Sequence, residues 1–238
     1  MTVTFKATVI LNNHYTMISR TALLVGASGL IGNHCLQLLL ESNAYEKILA
    51  LVRKPLALVH KKLQQHVVDF DRLDQYPPLF NVHDVYCCLG TTIRAAGSQE
   101  AFRKVDFTYP VQIAALASKQ GAEQFLIVTS LGANSRSNVF YYRIKGEVEE
   151  AIAKLPFKGV HLFRPSILFG ERKEFRLGEK AGILAMRTLS FAMVSRYRKY
   201  RPIHANNVAT AMVGVAGMNL EGVHSFESDQ IQSIAEKI

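Results

Sequence analysis

Three residues in the middle of the chain have the types and spacing needed to move a proton to or from a carbonyl oxygen. Tyr141 and Lys145 are four positions apart in a helical pattern, so we expect their side chains on one helix face. A free phenol titrates at about pH 10, and a neighbouring ammonium favours its ionised form. Ser130, at the end of a predicted strand, could polarise the substrate oxygen. We predict that all three are catalytic, and that Tyr141 and Lys145 also contact a nicotinamide cofactor.

A glycine-rich turn supports the prediction of a catalytic triad. On its own, a tyrosine four positions before a lysine is weak evidence of catalysis. The stretch GASGLIG, at positions 26–32, lies between the first predicted strand and the first predicted helix. Glycine lets the backbone turn sharply and approach a diphosphate, and a helix N-terminus offers N–H groups and a positive dipole end. The predicted diphosphate ligands are Gly26, Ser28, Gly29, Leu30, Ile31 and Gly32.

Two cations at the end of the second predicted strand indicate which dinucleotide binds. NAD sites usually place Asp or Glu here for the ribose 2′-hydroxyl, and such a carboxylate would repel a 2′-phosphate. This chain instead has Arg53 and Lys54, and a guanidinium can bind a phosphate through two hydrogen bonds. We therefore predict NADP(H) over NAD(H); the alternative is a solvated basic turn.

The next two strand ends supply further candidate cofactor ligands. At the third, Asp69 could accept a hydrogen bond from the adenine amino group and Phe70 could pack near the base, or the pair could form a simple turn. At the fourth, a glycine lets the chain pass close to the cofactor and threonines offer hydroxyls. The predicted ligands of this fourth end are Leu89, Gly90, Thr91 and Thr92.

The elements that position these residues alternate between short apolar runs and longer helical patterns. Continuous apolar strands are typical of a parallel sheet covered on both faces, so we predict an α/β fold with a doubly wound, mostly parallel sheet. The expected strand order is 3-2-1-4-5-6, with ligands at the carboxyl ends. The predicted strands are 21–26, 48–53, 66–70, 84–89, 124–130 and 159–163, with a last apolar run at 222–226; the predicted helices are 30–41, 100–119, 140–154 and 206–218.

Length and cysteine content bound the organisation of the chain. Its 238 residues suit an N-terminal extension (1–19), a dinucleotide-binding Rossmann domain (20–163) and a C-terminal part that completes the fold and covers the substrate side (164–238). Three cysteines without a Cys-x-x-Cys motif argue against a disulfide framework and a zinc site. We expect no metal, a reducing compartment and, because residues 1–16 make a poor signal peptide, a cytoplasmic location.

The formal net charge of +9 is concentrated in one late segment, residues 164–201, which holds ten Lys or Arg and three Asp or Glu. Such uneven placement argues against a nucleic-acid-binding module. Three interpretations of the segment remain: a solvated surface, a rim that attracts an anionic substrate, or a peripheral membrane or macromolecular contact next to the apolar stretch 183–194. The oligomeric state is left open.

These motifs resemble, over residues 20–238, an atypical short-chain dehydrogenase/reductase (SDR), close to the Tat-interacting-protein-like oxidoreductases. The resemblance rests on GASGLIG (26–32), LVRK (51–54), CCLGTT (87–92), VTSLGA (128–133), YYRIKGEVE (141–149), RPSILFG (164–170) and HANNVA (204–209). It implies an NADP-binding Rossmann fold, Ser–Tyr–Lys roles for the triad, and Pro165 and Ser166 near the nicotinamide. Asp106 falls near an Asn of extended members, a departure that leaves its role open.

Two functions follow from this sequence. The first is an NADP(H)-dependent oxidoreductase that transfers a hydride between nicotinamide and a small-molecule carbonyl or alcohol substrate, favoured by the complete Ser–Tyr–Lys set. The alternative is a non-enzymatic, NADPH-binding regulatory or scaffold protein.

Overall fold

The computed structural model describes residues 20–170 and 195–238, and within them a seven-stranded sheet dominates. Every strand pair in it is parallel, and the order is β3-β2-β1-β4-β5-β6-β9. The predicted fold class and the order of the first six strands are confirmed. The large-sheet strands are β1 (Arg20–Val25), β2 (Tyr45–Val52), β3 (Leu63–Val67), β4 (Asp84–Cys87), β5 (Gln124–Val128), β6 (Gly159–Arg164) and β9 (Gly222–Glu227); β7 (Leu168–Phe169) and β8 (Ile203–His204) pair separately.

Helices cover both faces of the sheet. The predicted helix 100–119 is interrupted, because a π-helical turn at Lys104–Thr108 separates two α-helical parts. The described helices are α1 (Leu30–Glu41), α2 (Ile93–Ala96), α3 (Gln99–Arg103), α4 (Tyr109–Lys119), α5 (Phe140–Ile152), α6 (Ala205–Gly217) and α7 (Ser228–Ala235), with 3₁₀ turns at Phe70–Gln75, Pro77–Phe80 and Ser195–Tyr200.

Two apolar cores, one on each face, explain the continuous apolar runs of the sequence. Leu24 of β1 packs on the α1 and α6 side, in the same cluster as Leu36 and Met212. Its neighbour Leu23 points to the α4 and α5 side, in the cluster of Ile113. Because successive side chains of a strand alternate between faces, a strand with helices on both sides must be apolar at every position.

The predicted third strand, 66–70, is misplaced, since β3 runs from Leu63 to Val67 and pairs with β2 from Ile48 to Val52. This edge strand has the polar sequence LQQHV, which hides it from a search for apolar runs. Asp69 ends the extended backbone, because its carboxylate accepts a hydrogen bond from the Asp71 N–H and starts a 3₁₀ turn. The fourth and fifth strands also end two residues earlier than predicted, at Cys87 and Val128.

A polar cluster lies at the amino end of the sheet. Asp84, fully buried at the start of β4, accepts hydrogen bonds from Arg20, Tyr45 and Gln124 at 2.7–2.9 Å. Gln124 also lies 3.1 Å from His161 Nε2, and burial, reinforced by His224, lowers the pKa of His161 to about 4. Since the hydrogen-bonded members come from five strands (β1, β2, β4, β5 and β6), the cluster links the strands at the end opposite the predicted site.

Candidate functional site

The glycine turn after β1 has the close backbone packing that its sequence predicts. Gly26 has a φ of +87°, and a Cβ there would lie 2.6 Å from the Cys88 carbonyl oxygen. A Cβ on Gly32 would lie 2.0 Å from the Gly26 carbonyl oxygen. Side chains are thus excluded at both positions, and the turn brings the start of α1 directly against the end of β1.

The first turn of α1 offers backbone donors to an anion. Its first hydrogen bond runs from the Asn33 N–H to the Gly29 carbonyl at 2.9 Å, so the N–H groups of Leu30, Ile31 and Gly32 have no partner within the helix. No acidic residue lies in this turn, no side chain caps it, and Ser28 beside it is exposed. The turn therefore fits a dinucleotide diphosphate, which would gain both hydrogen bonds and the helix dipole.

Arg53 and Lys54 follow β2 at the same edge of the sheet and are both exposed. Val25, the residue before the glycine turn, pairs with Leu51, so Arg53 is two residues beyond that register position. A phosphate on the adenosine ribose of a bound dinucleotide is the chemistry these cations suit. Their role as 2′-phosphate ligands stays a prediction.

Asp69 and Phe70 take part in contacts of their own beyond β3. One Asp69 oxygen accepts the Asp71 N–H at 2.9 Å and the other lies 3.8 Å from Arg72 Nε, in a side chain that is 54% exposed. Phe70 is buried, and its ring packs on Tyr109 with centroids 5.4 Å apart. The structure thus shows the turn that was one interpretation of this pair, and adenine contacts at either residue stay a prediction.

The loop after β4 places Gly90 and Thr91 at the predicted active site, whereas Thr92 caps a helix. The Thr91 N–H donates to Asp106 Oδ2 at 2.9 Å, and the Thr92 hydroxyl accepts from the Ala95 N–H to cap α2. Leu89 is half-buried against the core on the α4 and α5 side. Gly90 is exposed, and a Cβ there would lie 3.5 Å from Asp106 Oδ1 and 3.8 Å from Lys145 Nζ.

Tyr141 and Lys145 lie on α5, as predicted. The Tyr141 ring is half-buried and packs on Phe102 with centroids 5.6 Å apart. Lys145 is 5% exposed, and its Nζ lies 2.7 Å from Asp106 Oδ1. Burial works to lower the pKa of this ammonium, but Asp106, helped by Tyr141, outweighs it and raises the pKa of Lys145 above its usual value. The Lys145 side chain is therefore expected to carry its charge at physiological pH, next to Tyr141.

Ser130 lies two residues beyond β5, on a loop tied to β6. Its hydroxyl donates to the Leu131 carbonyl at 3.1 Å, and the Leu131 N–H donates to the Pro165 carbonyl at 2.9 Å. Pro165 is buried, and Ser166 has partners for both polar groups: its N–H donates to Ser228 Oγ at 2.6 Å and its hydroxyl to the Arg201 carbonyl. The cofactor contacts predicted for Pro165 and Ser166 stay predictions.

A buried carboxylate that the sequence analysis missed holds α5 against the strand ends. Glu149 accepts the Thr129 hydroxyl at 2.5 Å and is bound by Arg164, whose Nε lies 2.9 Å from Oε1. The sequence feature that could have revealed Glu149 is its position four residues after Lys145, on the same helix face. Gly146 was missed as well: a Cβ there would lie 2.1 Å from the Ser135 nitrogen, so a side chain would push away the loop that follows Ser130.

The basic segment can be followed only in part. Residues 171–194, including the apolar stretch 183–194, lie outside the described residues. Beyond them Lys199 pairs with Glu227 at 3.0 Å, so one cation of the segment is bound to the end of β9. Within 20–170 and 195–238, no helix is long and apolar enough to cross a membrane, and no group of His, Cys, Asp or Glu could hold a metal ion.

The parallel sheet, its strand order and its glycine turn define the class of this molecule, a protein with a Rossmann-type α/β fold. The chain belongs to the HIM1 family, whose profile matches residues 36–201. It is 38% identical over 173 residues to Protein HTATIP2 of Rattus norvegicus, covering 71% of each protein. It is also 28% identical over 221 residues to Protein FMP52 of Saccharomyces cerevisiae, covering 90% of this chain and 93% of that protein.

Solved structures of low sequence identity share the fold. WbmH of Bordetella bronchiseptica, solved with NAD+, superposes with a TM-score of 0.68 at 13% identity, covering 92% of this chain and 80% of that one. A UDP-glucose 4-epimerase from Thermotoga maritima, solved with UDP-glucose, gives 0.63 at 13% identity, covering 91% and 82%. At this identity the likeness shows the fold alone.

The comparisons overturn the expected cytoplasmic location. The fungal FMP52 relatives are named as mitochondrial proteins, among them those of Candida glabrata, Debaryomyces hansenii and Saccharomyces cerevisiae, at 34%, 33% and 28% identity. The expectation was wrong because it rested on cysteine usage and on a poor signal peptide. Neither feature separates one reducing compartment from another.

Proposed function

We propose that this protein is an NADP(H)-dependent oxidoreductase that transfers a hydride between nicotinamide and a carbonyl or alcohol carbon, with Ser130, Tyr141 and Lys145 as catalytic residues. One observation carries the proposal: a buried ammonium, Lys145, lies one helical turn from Tyr141, beside the exposed glycine of the β4 loop. Burying a charge of this kind is costly, and sites that perturb charges in this way are typical of catalysis.

The residues at the carboxyl ends of β1, β2 and β4, which border the proposed cofactor crevice, fit a dinucleotide. The N–H groups at the start of α1 would hold the diphosphate, and Arg53 with Lys54 would bind a 2′-phosphate. Related folds solved with NAD, such as WbmH, support a dinucleotide in this crevice. The two cations after β2 support the choice of NADP(H), because an NAD site commonly has an acidic residue there.

The bound nicotinamide would supply or accept the hydride, and the protein would handle the proton. Tyr141 exchanges a proton with the substrate oxygen through its phenolic hydroxyl. The Lys145 ammonium stabilises the phenolate that results, since an opposite charge nearby favours the ionised form. Ser130 exchanges its hydrogen bond to the Leu131 carbonyl for one to the substrate oxygen, which polarises that oxygen.

The substrate class follows from this chemistry: a small molecule with a carbonyl or alcohol group. An anionic group on the substrate would suit the cations of residues 196–201, of which Lys199 already pairs with Glu227. We propose no nucleic-acid partner, since the positive charge is confined to one segment.

The test is consumption of NADPH by purified protein with a panel of aldehydes, ketones and quinones, comparing Tyr141→Phe with Tyr142→Phe. Tyr142 is an exposed neighbour on another face of α5, so its variant controls for losing a hydroxyl from this helix. We expect Tyr141→Phe to lower kcat by about 10³-fold with little change in NADPH affinity.

Equal turnover in the two variants would overturn the catalytic role of Tyr141. The scaffold alternative makes a different prediction: Tyr141→Phe changes nothing, while Arg53→Ala alters the binding of a protein partner.

A further inference from the structure

Asp106 lies in the π-helical turn between α3 and α4. This turn, Lys104–Thr108, adds a residue to an otherwise continuous helical segment and directs the Asp106 side chain into the protein. Asp106 is 1% exposed. Single π turns inside α-helices are rare, cost hydrogen-bond geometry and occur frequently at functional sites. The position of this carboxylate therefore needs a reason beyond helix stability.

Both oxygens of Asp106 face the candidate active site. Oδ2 accepts the Thr91 N–H at 2.9 Å, and Oδ1 lies 2.7 Å from Lys145 Nζ. The side chains of the pair are 0% and 6% exposed, so water screens neither charge well. One carboxylate thus connects three elements of the crevice: the loop after β4, the π turn and α5.

We infer that Asp106 is a positioning residue, whose carboxylate fixes the Lys145 ammonium beneath Gly90 and keeps it charged while Tyr141 exchanges its proton. The inference rests on the proposed function, because it assigns Asp106 a part in the same reaction through Lys145.

The surroundings of Lys145 show why the carboxylate is needed. The titratable groups that face it are Asp106 from the π turn, Tyr141 from its own helix and Cys87 from the end of β4. Burial raises the pKa of Cys87 to about 12, so this thiol is neutral at physiological pH. Glu149, one turn further along α5, is bound by Arg164 and Thr129. Among these groups Asp106 is the one placed to balance the ammonium.

The direct experiment measures the protonation of Lys145 without turnover. Protein carrying [ε-¹³C]lysine is titrated by NMR, and the Lys145 signal is assigned from its absence in Lys145→Arg. In wild-type protein we expect the ammonium to persist beyond the range in which ordinary lysines titrate, because its pKa is raised. In Asp106→Asn burial is no longer opposed by this carboxylate, so the midpoint should fall by about one pH unit or more.

Glu147→Gln is the matched control, because it also replaces a carboxylate with an amide at a cation contact of α5. Glu147 pairs with Arg103 at 2.5 Å, away from Lys145. Its variant should leave the Lys145 midpoint unchanged. Equal midpoints in wild type and Asp106→Asn would overturn the inference, whether or not a substrate has been found.

A second readout ties the pair to the reaction. Asp106→Asn should change the alkaline side of the pH profile of kcat relative to wild type, and Asp106→Glu, which keeps the carboxylate, should restore part of the wild-type profile. An NMR shift without any change in the kcat profile would overturn the part assigned to Asp106 in catalysis. Absence of turnover in wild type with every substrate would instead count against the proposed function, since the NMR titration does not depend on it.

A further pair of variants covers the case in which Asp106→Asn fails to fold. The double variant Asp106→Asn with Lys145→Met removes the ammonium along with its partner. If the carboxylate serves the lysine, the double variant should fold, with a midpoint temperature close to that of Lys145→Met alone. An equal loss on both backgrounds would show that Asp106 serves only to anchor the Thr91 N–H, and would overturn the inference.

Discussion

The two ends of the sheet each bury an aspartate, and their surroundings differ. At the amino end Asp84 accepts hydrogen bonds from three side chains, those of Arg20, Tyr45 and Gln124. At the carboxyl end Asp106 holds Lys145 and the Thr91 N–H beside an exposed glycine. Buried charges whose partners all belong to the protein act on the fold, whereas those beside an exposed edge are available to a ligand. Variants at the first end should therefore change stability, and variants at the second should change binding and turnover.

Removal of the Asp84 carboxylate should have the largest effect on stability. Asp84→Ala removes the buried acceptor that Arg20 and Gln124 share, although Arg20 keeps Glu123, and we expect a loss of about 3 kcal/mol in the free energy of unfolding. Urea denaturation followed by circular dichroism measures it, with Asp74→Ala, an exposed acid, as the control. A large loss of NADPH affinity in the folded variant would contradict the claim that residues at the amino end affect stability and not binding.

Lowering the pH should reduce the free energy of unfolding through a histidine at the amino end of the sheet. The pKa of His161 falls to about 4 because of burial and, second, because of His224. A histidine kept neutral in the fold contributes stability that is complete above its ordinary pKa of about 6.5 and is lost as the pH falls towards 4. We expect about 2 kcal/mol to disappear across this window.

The measurement is the urea midpoint of wild type and His161→Gln at several pH values. The variant has no titrating ring, so its stability should vary less over the same window. Parallel curves for the two proteins would show that His161 is not the group responsible.

Gly90→Ala should weaken NADPH binding while sparing the fold. The added Cβ would lie 3.5 Å from Asp106 and 3.8 Å from Lys145, which are ordinary contacts. It would nevertheless fill the space over the ion pair, and we expect affinity to fall about 30-fold, equivalent to about 2 kcal/mol. Fluorescence titration checks the affinity and thermal unfolding checks the fold. Gly217→Ala, where a Cβ would meet nothing within 4 Å, is the control.

Arg53→Ala should have the smallest effect and the most selective one. Loss of a charge-assisted contact to the 2′-phosphate should weaken NADPH binding about tenfold and leave NADH binding nearly unchanged. Competition between the two nucleotides in a fluorescence assay measures this ratio. An equal loss for both would show that Arg53 does not read the 2′-phosphate.

The order of the first six strands followed from the fold class, and local sequence patterns were sufficient to predict the buried strands and the glycine turn. Each of these depends on neighbouring residues: continuous apolar runs for the buried strands, and glycines at fixed spacing for the turn before α1. Tyr141 and Lys145 were likewise found from spacing within one helix. The structure confirms the strands, the glycine turn and the helix that carries Tyr141 and Lys145. The catalytic roles of these two residues stay predictions.

Features that depend on distant partners could not be predicted. The polar edge strand β3 lacks an apolar pattern, and its place is set by pairing with β2. The contact of Asp106 with Lys145 joins residues 39 positions apart in the sequence and requires a π turn that no local preference indicates. The buried ion pair of Glu149 and Arg164 depends in the same way on helix and strand meeting in space.

The central claim is that the open edge of the sheet binds a phosphorylated nicotinamide dinucleotide. Calorimetric titration of the purified protein with NADPH tests it most directly. We predict one molecule bound per chain, with a weaker response to NADH. Absence of binding heat with either nucleotide at several temperatures would contradict the claim.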